Sequence, residues 1–291
     1  MIVRCWGARG SIPVSGSEYL RFGGSTTCLE IETADGQTVI VDAGSGIRRL
    51  GHQLLAKGKK RYHLLITHVH LDHVLGLPFF RPVYDREATL DVYGCPFARH
   101  SIRDLLAETL RAPTFPVELQ MFKARMSFHS LDMRPFSIGS MTVRPVYLSH
   151  PNMGVGYRFD EAGKAMVFLT DNELGYQHPG GLQFDSYVEA CADADLLIHD
   201  AEFTPEEYPQ RRGWGHSVFT DALRLAVEAR AKAFGLFHHN QDRADHALEQ
   251  IVEECRRMLR DVEPPLPCFA VYEGMEISLG ASAGTLGDVS R

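Results

Sequence analysis

The sequence predicts an α/β fold with a two-sheet core and outer helices, and three observations carry that expectation. Strand-like and helix-like segments come in two similar sets, one in each half of the chain. No Pro/Gly/Ser-rich linker, repeat or low-complexity run separates the halves, so residues 1–291 read as one domain. Hydrophobic residues make up 44% and charged residues 23%, an ordinary globular balance with material for a sizeable core. Collagen-like and disordered chains are thereby excluded.

The first half opens with strands. Residues 2–6 are short and apolar, 28–33 alternate, and 38–41 are β-branched and apolar, with Ala34-Asp35-Gly36-Gln37 as a hairpin turn. A helix is expected over 47–57, stopped by Gly58. Residues 62–67 form a strand that runs straight into a histidine cluster, and 90–93 form another. Residues 101–111 read as a helix with Leu105, Leu106 and Leu110 on one side, and Pro113 and Pro116 break the chain beyond it.

The second half repeats the theme. Strands are expected over 141–148, 155–159, 165–170, 196–199, 233–237 and near 268–272. Helices are expected over 184–194, 217–231 and 242–260. In the middle one Val218, Ala222, Leu225, Ala226 and Ala229 share a face.

Lys plus Arg total 30 against 37 Asp plus Glu, a formal charge of −7, which argues against a long nucleic-acid partner. The six cysteines (Cys5, Cys28, Cys95, Cys191, Cys255, Cys268) are scattered without a CxxC pair and read as reduced thiols. The first residues have no apolar leader, and no run of about 18 apolar residues occurs. A cytoplasmic protein with no membrane partner is expected.

Among the 14 histidines, Thr67-His68-Val69-His70-Leu71-Asp72-His73 stands out. It supplies three imidazoles and a carboxylate just after an apolar strand, where a turn can aim them at one point. That is a ligand set for zinc and similar divalent metals.

This segment resembles the metallo-β-lactamase superfamily, and the resemblance extends along most of the chain. Val41-Asp42-Ala43-Gly44 is similar to the family's strand-end aspartate motif; Ser149-His150-Pro151, Leu169-Thr170-Asp171 and Phe237-His238 fall where it places later ligands. The resemblance implies an αββα sandwich of two mixed sheets with two divalent metal ions, zinc first, manganese or iron also suiting the donors. It assigns His68, His70 and His150 to one metal, Asp72, His73 and His238 to the other, and Asp171 as the bridge. Two close cations lower the pKa of a shared water, giving a hydroxide near neutral pH. Asp42 either orients a ligand histidine or is a helix N-cap or a solvated strand end. His239 competes with His238.

Leu197-Ile198-His199-Asp200-Ala201-Glu202-Phe203 and Gly213-Trp214-Gly215-His216-Ser217, ahead of a helix, a strand and His238, are similar to the phosphodiesterase branch, which includes the tRNA 3′-processing endonucleases. There His216 pairs with Asp200, and a histidine kept protonated by a carboxylate can protonate a leaving oxygen. Ser217 alternatively reads as the helix N-cap. Asp72, His216 and Asp200 are the catalytic candidates.

Trp6-Gly7-Ala8-Arg9-Gly10-Ser11-Ile12-Pro13 and Phe22-Gly23-Gly24-Ser25-Thr26-Thr27-Cys28 look like a bacterial subgroup labelled metallo-hydrolases or class II cyclic-nucleotide phosphodiesterases. These turns either bring N–H groups to a phosphate, with Arg9 as a further contact, or let strands pack tightly. Residues 94–140 read as a lid or dimerisation insert, and the relatives suggest a homodimer. A small phosphodiester (a cyclic nucleotide or short oligonucleotide) is the expected substrate, with tRNA unlikely. The alternatives are a lactone or thioester hydrolase on the same scaffold and a metal-binding sensor without turnover.

Overall fold

The computed structural model describes residues 1–280; the end of the domain expected over 1–291, residues 281–291, lies outside the described residues. In chain order the elements begin β1 (Ile2–Gly7), β2 (Cys28–Glu32), β3 (Thr38–Val41), α1 (Ile47–Ala56), β4 (Arg61–Leu65), the one-turn α2 (Leu71–Val74), β5 (Thr89–Gly94) and α3 (Ile102–Thr109). Next come β6 (Arg125–Ser130), β7 (Phe136–Ile138), β8 (Met141–Leu148), β9 (Gly154–Glu161) and β10 (Lys164–Leu169). The last are α4 (Phe184–Cys191), β11 (Leu196–Asp200), α5 (Phe219–Glu228), β12 (Phe234–Phe237), α6 (Asp245–Met258), β13 (Cys268–Ala270) and β14 (Glu276–Ser278).

The strands form two seven-stranded sheets, ordered β14-β1-β2-β3-β4-β5-β6 and β13-β12-β11-β10-β9-β8-β7. Each mixes parallel and antiparallel pairs: β3 to β6 run parallel in the first, β10 to β13 in the second.

Side-chain alternation builds the layers. Val39 and Val41 join Met166, Phe168, Leu196 and Ile198 in the core between the sheets. Their neighbour Ile40 faces outward, onto Ile47, Leu50 and Leu54 of α1 and Ile102 and Leu106 of α3. On the second sheet Val167, Leu169 and Leu197 face outward, under α4, α5 and α6. Both faces of the central strands are therefore buried, which is why they read as continuous apolar runs. The result is the αββα sandwich of mixed sheets that the sequence predicts.

The sequence reading misses β6, β7 and β14. The first is half polar and largely exposed, the other two are three residues long, and all three lie at or next to a sheet edge. Residues 94–140 thus supply one of the two outer strands of each sheet as well as α3. α5 starts at Phe219, with Val218 as its cap residue. Ser217 is not the N-cap; its hydroxyl donates to Asn172 O at 2.5 Å and accepts Leu174 N–H at 3.0 Å. α6 starts at Asp245 because Asn240 Oδ1 first holds a turn through Asp242 N–H.

β8 and β10 both pair antiparallel with β9, so they run the same way, and β11 and β12 run parallel to β10. Their carboxyl ends gather at one rim, the usual place for a site in such sheets.

Candidate metal centre

β4 ends at Leu65, and His68, His70, Asp72 and His73 follow within one tight turn and α2. One strand away, Asp42 fixes that turn. Its Oδ1 accepts Thr67 N–H at 2.8 Å, and its Oδ2 accepts the Thr67 hydroxyl and His73 Nδ1–H, each at 2.8 Å. The cap of α1 is Gly46, so Asp42 orients a histidine and caps no helix. Asp42, Asp171 and His238 all have left-handed backbone, φ 62°, 49° and 57°. Such residues are uncommon outside glycine, Asp and His being among the tolerated types, and they concentrate where a fold serves a site.

The structure brings the seven expected ligand residues together in two groups. His68, His70 and His150 place one ligand atom each within 4.8 Å of one another, and Asp72, His73, Asp171 and His238 do the same. Asp171 stands between the groups. Its Oδ1 is 3.2 Å from His73 Nε2, and its Oδ2 is 3.3 Å from His238 Nε2, 3.6 Å from His68 Nε2 and 3.9 Å from His150 Nε2. Tautomers are set from behind. His150 Nδ1–H donates to Gly215 O at 3.0 Å, and His238 Nδ1–H to Glu202 Oε2 at 2.9 Å.

Divalent cations fit these residues. His68 Nε2 and His73 Nε2 are buried without a hydrogen-bond partner, an arrangement costly unless something accepts their lone pairs. Burial lowers the pKa of His68 well below the usual histidine range and that of His150 to about 3, so both offer neutral imidazoles. Burial also opposes charge on His73 and His238, but Asp171 and the other nearby carboxylates prevail and raise both well above that range. A cation taken up here must displace those protons.

His216 sits beside the second group. Its ring stacks on His238 at 4.7 Å, and its Nδ1–H donates to Asp200 Oδ2 at 2.7 Å. Burial works against the imidazolium, but the carboxylates of Glu202 and Asp200 prevail and push the pKa up to about 9. Asp200 is buried and tied down by Glu202 N–H and Ser217 N–H, both at 3.1 Å on Oδ1. Glu202, which holds His238, is the residue that sequence reasoning missed. It stands in a quoted motif, two residues after Asp200, but its contact is 36 positions away. His239 points elsewhere: its Nε2–H donates to Val271 O at 2.7 Å. The last histidine of the site is therefore His238.

The N-terminal turns support the site by packing. Ser11 N–H donates to Asp72 Oδ2 at 2.9 Å, and Gly10 N–H donates to His239 O at 2.9 Å. Arg9 is fully buried and is no phosphate contact. Its guanidinium donates to the carbonyls of Gly23, Asn240 and Arg243 and stacks over Tyr19 at 5.0 Å. Residues 95–105 flank the other side, where Cys95, Phe97, Ile102 and Leu105 line a small cleft with His68 and Met153. A cavity of 540 Å³ behind α6, between Arg21, Val252 and Tyr272, includes none of the site residues.

Two facing sheets with a His/Asp cluster at their common rim define a metal-dependent hydrolase of the metallo-β-lactamase fold. The family model described as the beta-lactamase superfamily domain matches residues 37–239, and the chain belongs to that superfamily. It is 27% identical over 268 residues to a protein named ribonuclease Z from Haloarcula marismortui, covering 76% of this chain and 83% of the relative. The metallo-β-lactamase fold protein YhfI from Bacillus subtilis superposes with a TM-score of 0.68 at 18% identity, covering 95% of this chain and 98% of that one. The short form of human tRNase Z gives 0.63 at 21% identity, covering 96% and 100%. With such relatives, the expectation that tRNA is an unlikely substrate has no support. Among the described residues no helix is long and apolar enough to cross a membrane.

Proposed function

We propose that the chain is a dinuclear metal-dependent phosphodiesterase. His68, His70 and His150 hold one cation, Asp72, His73 and His238 the other, with Asp171 between them. Zinc suits the imidazole-rich donors best, manganese and iron being the other choices. When bound, such a pair supplies a Lewis-acid clamp on phosphoryl oxygens and a water of lowered pKa.

The chain's own contribution is proton delivery and positioning. His216 Nδ1–H is committed to Asp200, which leaves Nε2–H to protonate the leaving oxygen. Asp42 and Glu202 fix the imidazoles of His73 and His238 so that each presents Nε2. The observation that carries the reading is the 2.7 Å His216–Asp200 pair stacked against the metal-site histidine His238. Opening a lactone or thioester needs no such acid, and a sensor needs none at all. The relatives named ribonuclease Z support phosphodiester chemistry.

Turnover of bis(p-nitrophenyl) phosphate tests the proposal. Metal-loaded protein is expected to be active, EDTA to abolish the activity, and His216→Ala to lose about 10²-fold or more on diesters with poorer leaving groups. The loss on p-nitrophenyl esters is smaller, because that leaving group hardly needs a proton. No turnover by metal-loaded protein would sink the reading in favour of acyl hydrolysis or sensing. A panel of cyclic nucleotides, short oligonucleotides and tRNA 3′ ends then ranks the substrates.

A further inference from the structure

Two loops that carry site residues also carry exposed aromatic rings. The loop after Asp171 presents Tyr176, 42% exposed, and the loop before His216 presents Trp214, 61% exposed. Scattered surface aromatics are ordinary, but these are neither scattered nor loosely held. The Arg212 guanidinium lies over the Tyr176 ring at 5.5 Å, and among the described residues no carboxylate pairs with it.

Buried Glu173 ties the loops together. Its Oε1 accepts Tyr208 O–H at 2.8 Å and Gly213 N–H at 2.7 Å; its Oε2 accepts Gly215 N–H at 2.7 Å and His178 Nε2–H at 2.8 Å. Trp214 therefore sits between two glycines clamped by one carboxylate. On the other loop the Ser149 hydroxyl, next to His150, donates to Tyr176 O at 2.6 Å and accepts His178 N–H at 3.0 Å. The loop backbones that carry the rings are thus fixed relative to His150 and His216.

We propose that Trp214 and Tyr176, with Arg212, form a stacking subsite for the nucleobase next to the scissile phosphodiester. Flat aromatic faces beside an unpaired guanidinium match a base and its neighbouring phosphate, a combination that binds single-stranded nucleotides with little sequence preference. The proposal rests on the phosphodiesterase reading for its placement and adds the substrate class, a nucleotide diester over a diester without a base.

Two esters with one leaving group test it: thymidine 5′-(p-nitrophenyl) phosphate and methyl p-nitrophenyl phosphate. Wild-type protein is expected to prefer the nucleotide ester, and the ratio of the two kcat/KM values to fall at least about fivefold in Trp214→Ala. Equal rates on both esters in the wild type, or an unchanged ratio in the variant, would overturn the subsite while leaving the phosphodiesterase standing. If neither ester turns over, that reading fails on its own, and fluorescence decides the subsite. The chain has two tryptophans, and Trp6 is buried with its indole donating to Glu30. Quenching by single-stranded hexathymidylate therefore reports Trp214. Quenching with an affinity that Tyr176→Ala weakens about fivefold or more supports the subsite, and no quenching, or an affinity that Tyr176→Ala leaves unchanged, overturns it.

Discussion

His216 lies between two carboxylates, Asp200 at 2.7 Å and Glu202 at 3.5 Å. Their charge raises its pKa to about 9 against the cost of burial, so the imidazolium persists through neutral pH. The sign follows: the donor is present below that pKa and lost as pH rises through it. Nearby cations disfavour the imidazolium, so the basic limb of kcat/KM is expected at or below about 9. Asp200→Asn removes one raising charge and shifts the limb to lower pH, and an unmoved limb would show that another group titrates there. The cluster at the rim was legible in the sequence because four of its residues crowd into His68 to His73, right after an apolar strand. Glu202 was not, since one acid among 37 acidic residues gains its role only when β11 and β12 lie side by side. Arg9 was misread for the same reason. An arginine near glycines suggests a phosphate, yet here three backbone carbonyls from two segments meet its guanidinium.

At the scale of elements, strand ends do the positioning. Asp42, His150, Asp171 and His238 each follow a strand directly or within two residues. The spacing of apolar runs made β3, β10 and β12 readable, because two-sided burial leaves an unmistakable pattern. Edge strands such as β6 carry no such pattern and depend on a neighbour for their hydrogen bonds. Two glycines matter as much as the strands. A Cβ on Gly10 would stand 2.3 Å from His238 Nδ1, and one on Gly215, at φ 98°, would stand 2.1 Å from His150 Nδ1. Gly10→Ala is therefore expected to displace the His238 ring and weaken metal retention about tenfold or more while the chain still folds. Metal content after dialysis and the circular dichroism spectrum check this together; full retention would show that the ring yields without leaving the site.

For the whole molecule, the cations would act as a fastener between the sheets. His68, His70, Asp72 and His73 follow the first sheet, and His150, Asp171 and His238 the second. A ligand that binds only the folded state at about 100 times its Kd adds about 2.7 kcal/mol. In a chain of this size that raises Tm by roughly 4–5 °C over the chelated protein. A melting curve indifferent to EDTA would mean that the rim holds itself without them. All of this machinery sits at one rim, and the connections at the other are plain. The turn from β9 to β10, at Ala162 and Gly163, lies at that far end, and a side chain on Gly163 would meet open space. The molecule thus has a working end and a handle, and the handle is where a reporter domain or surface tether can be spliced in with the chemistry left facing outward.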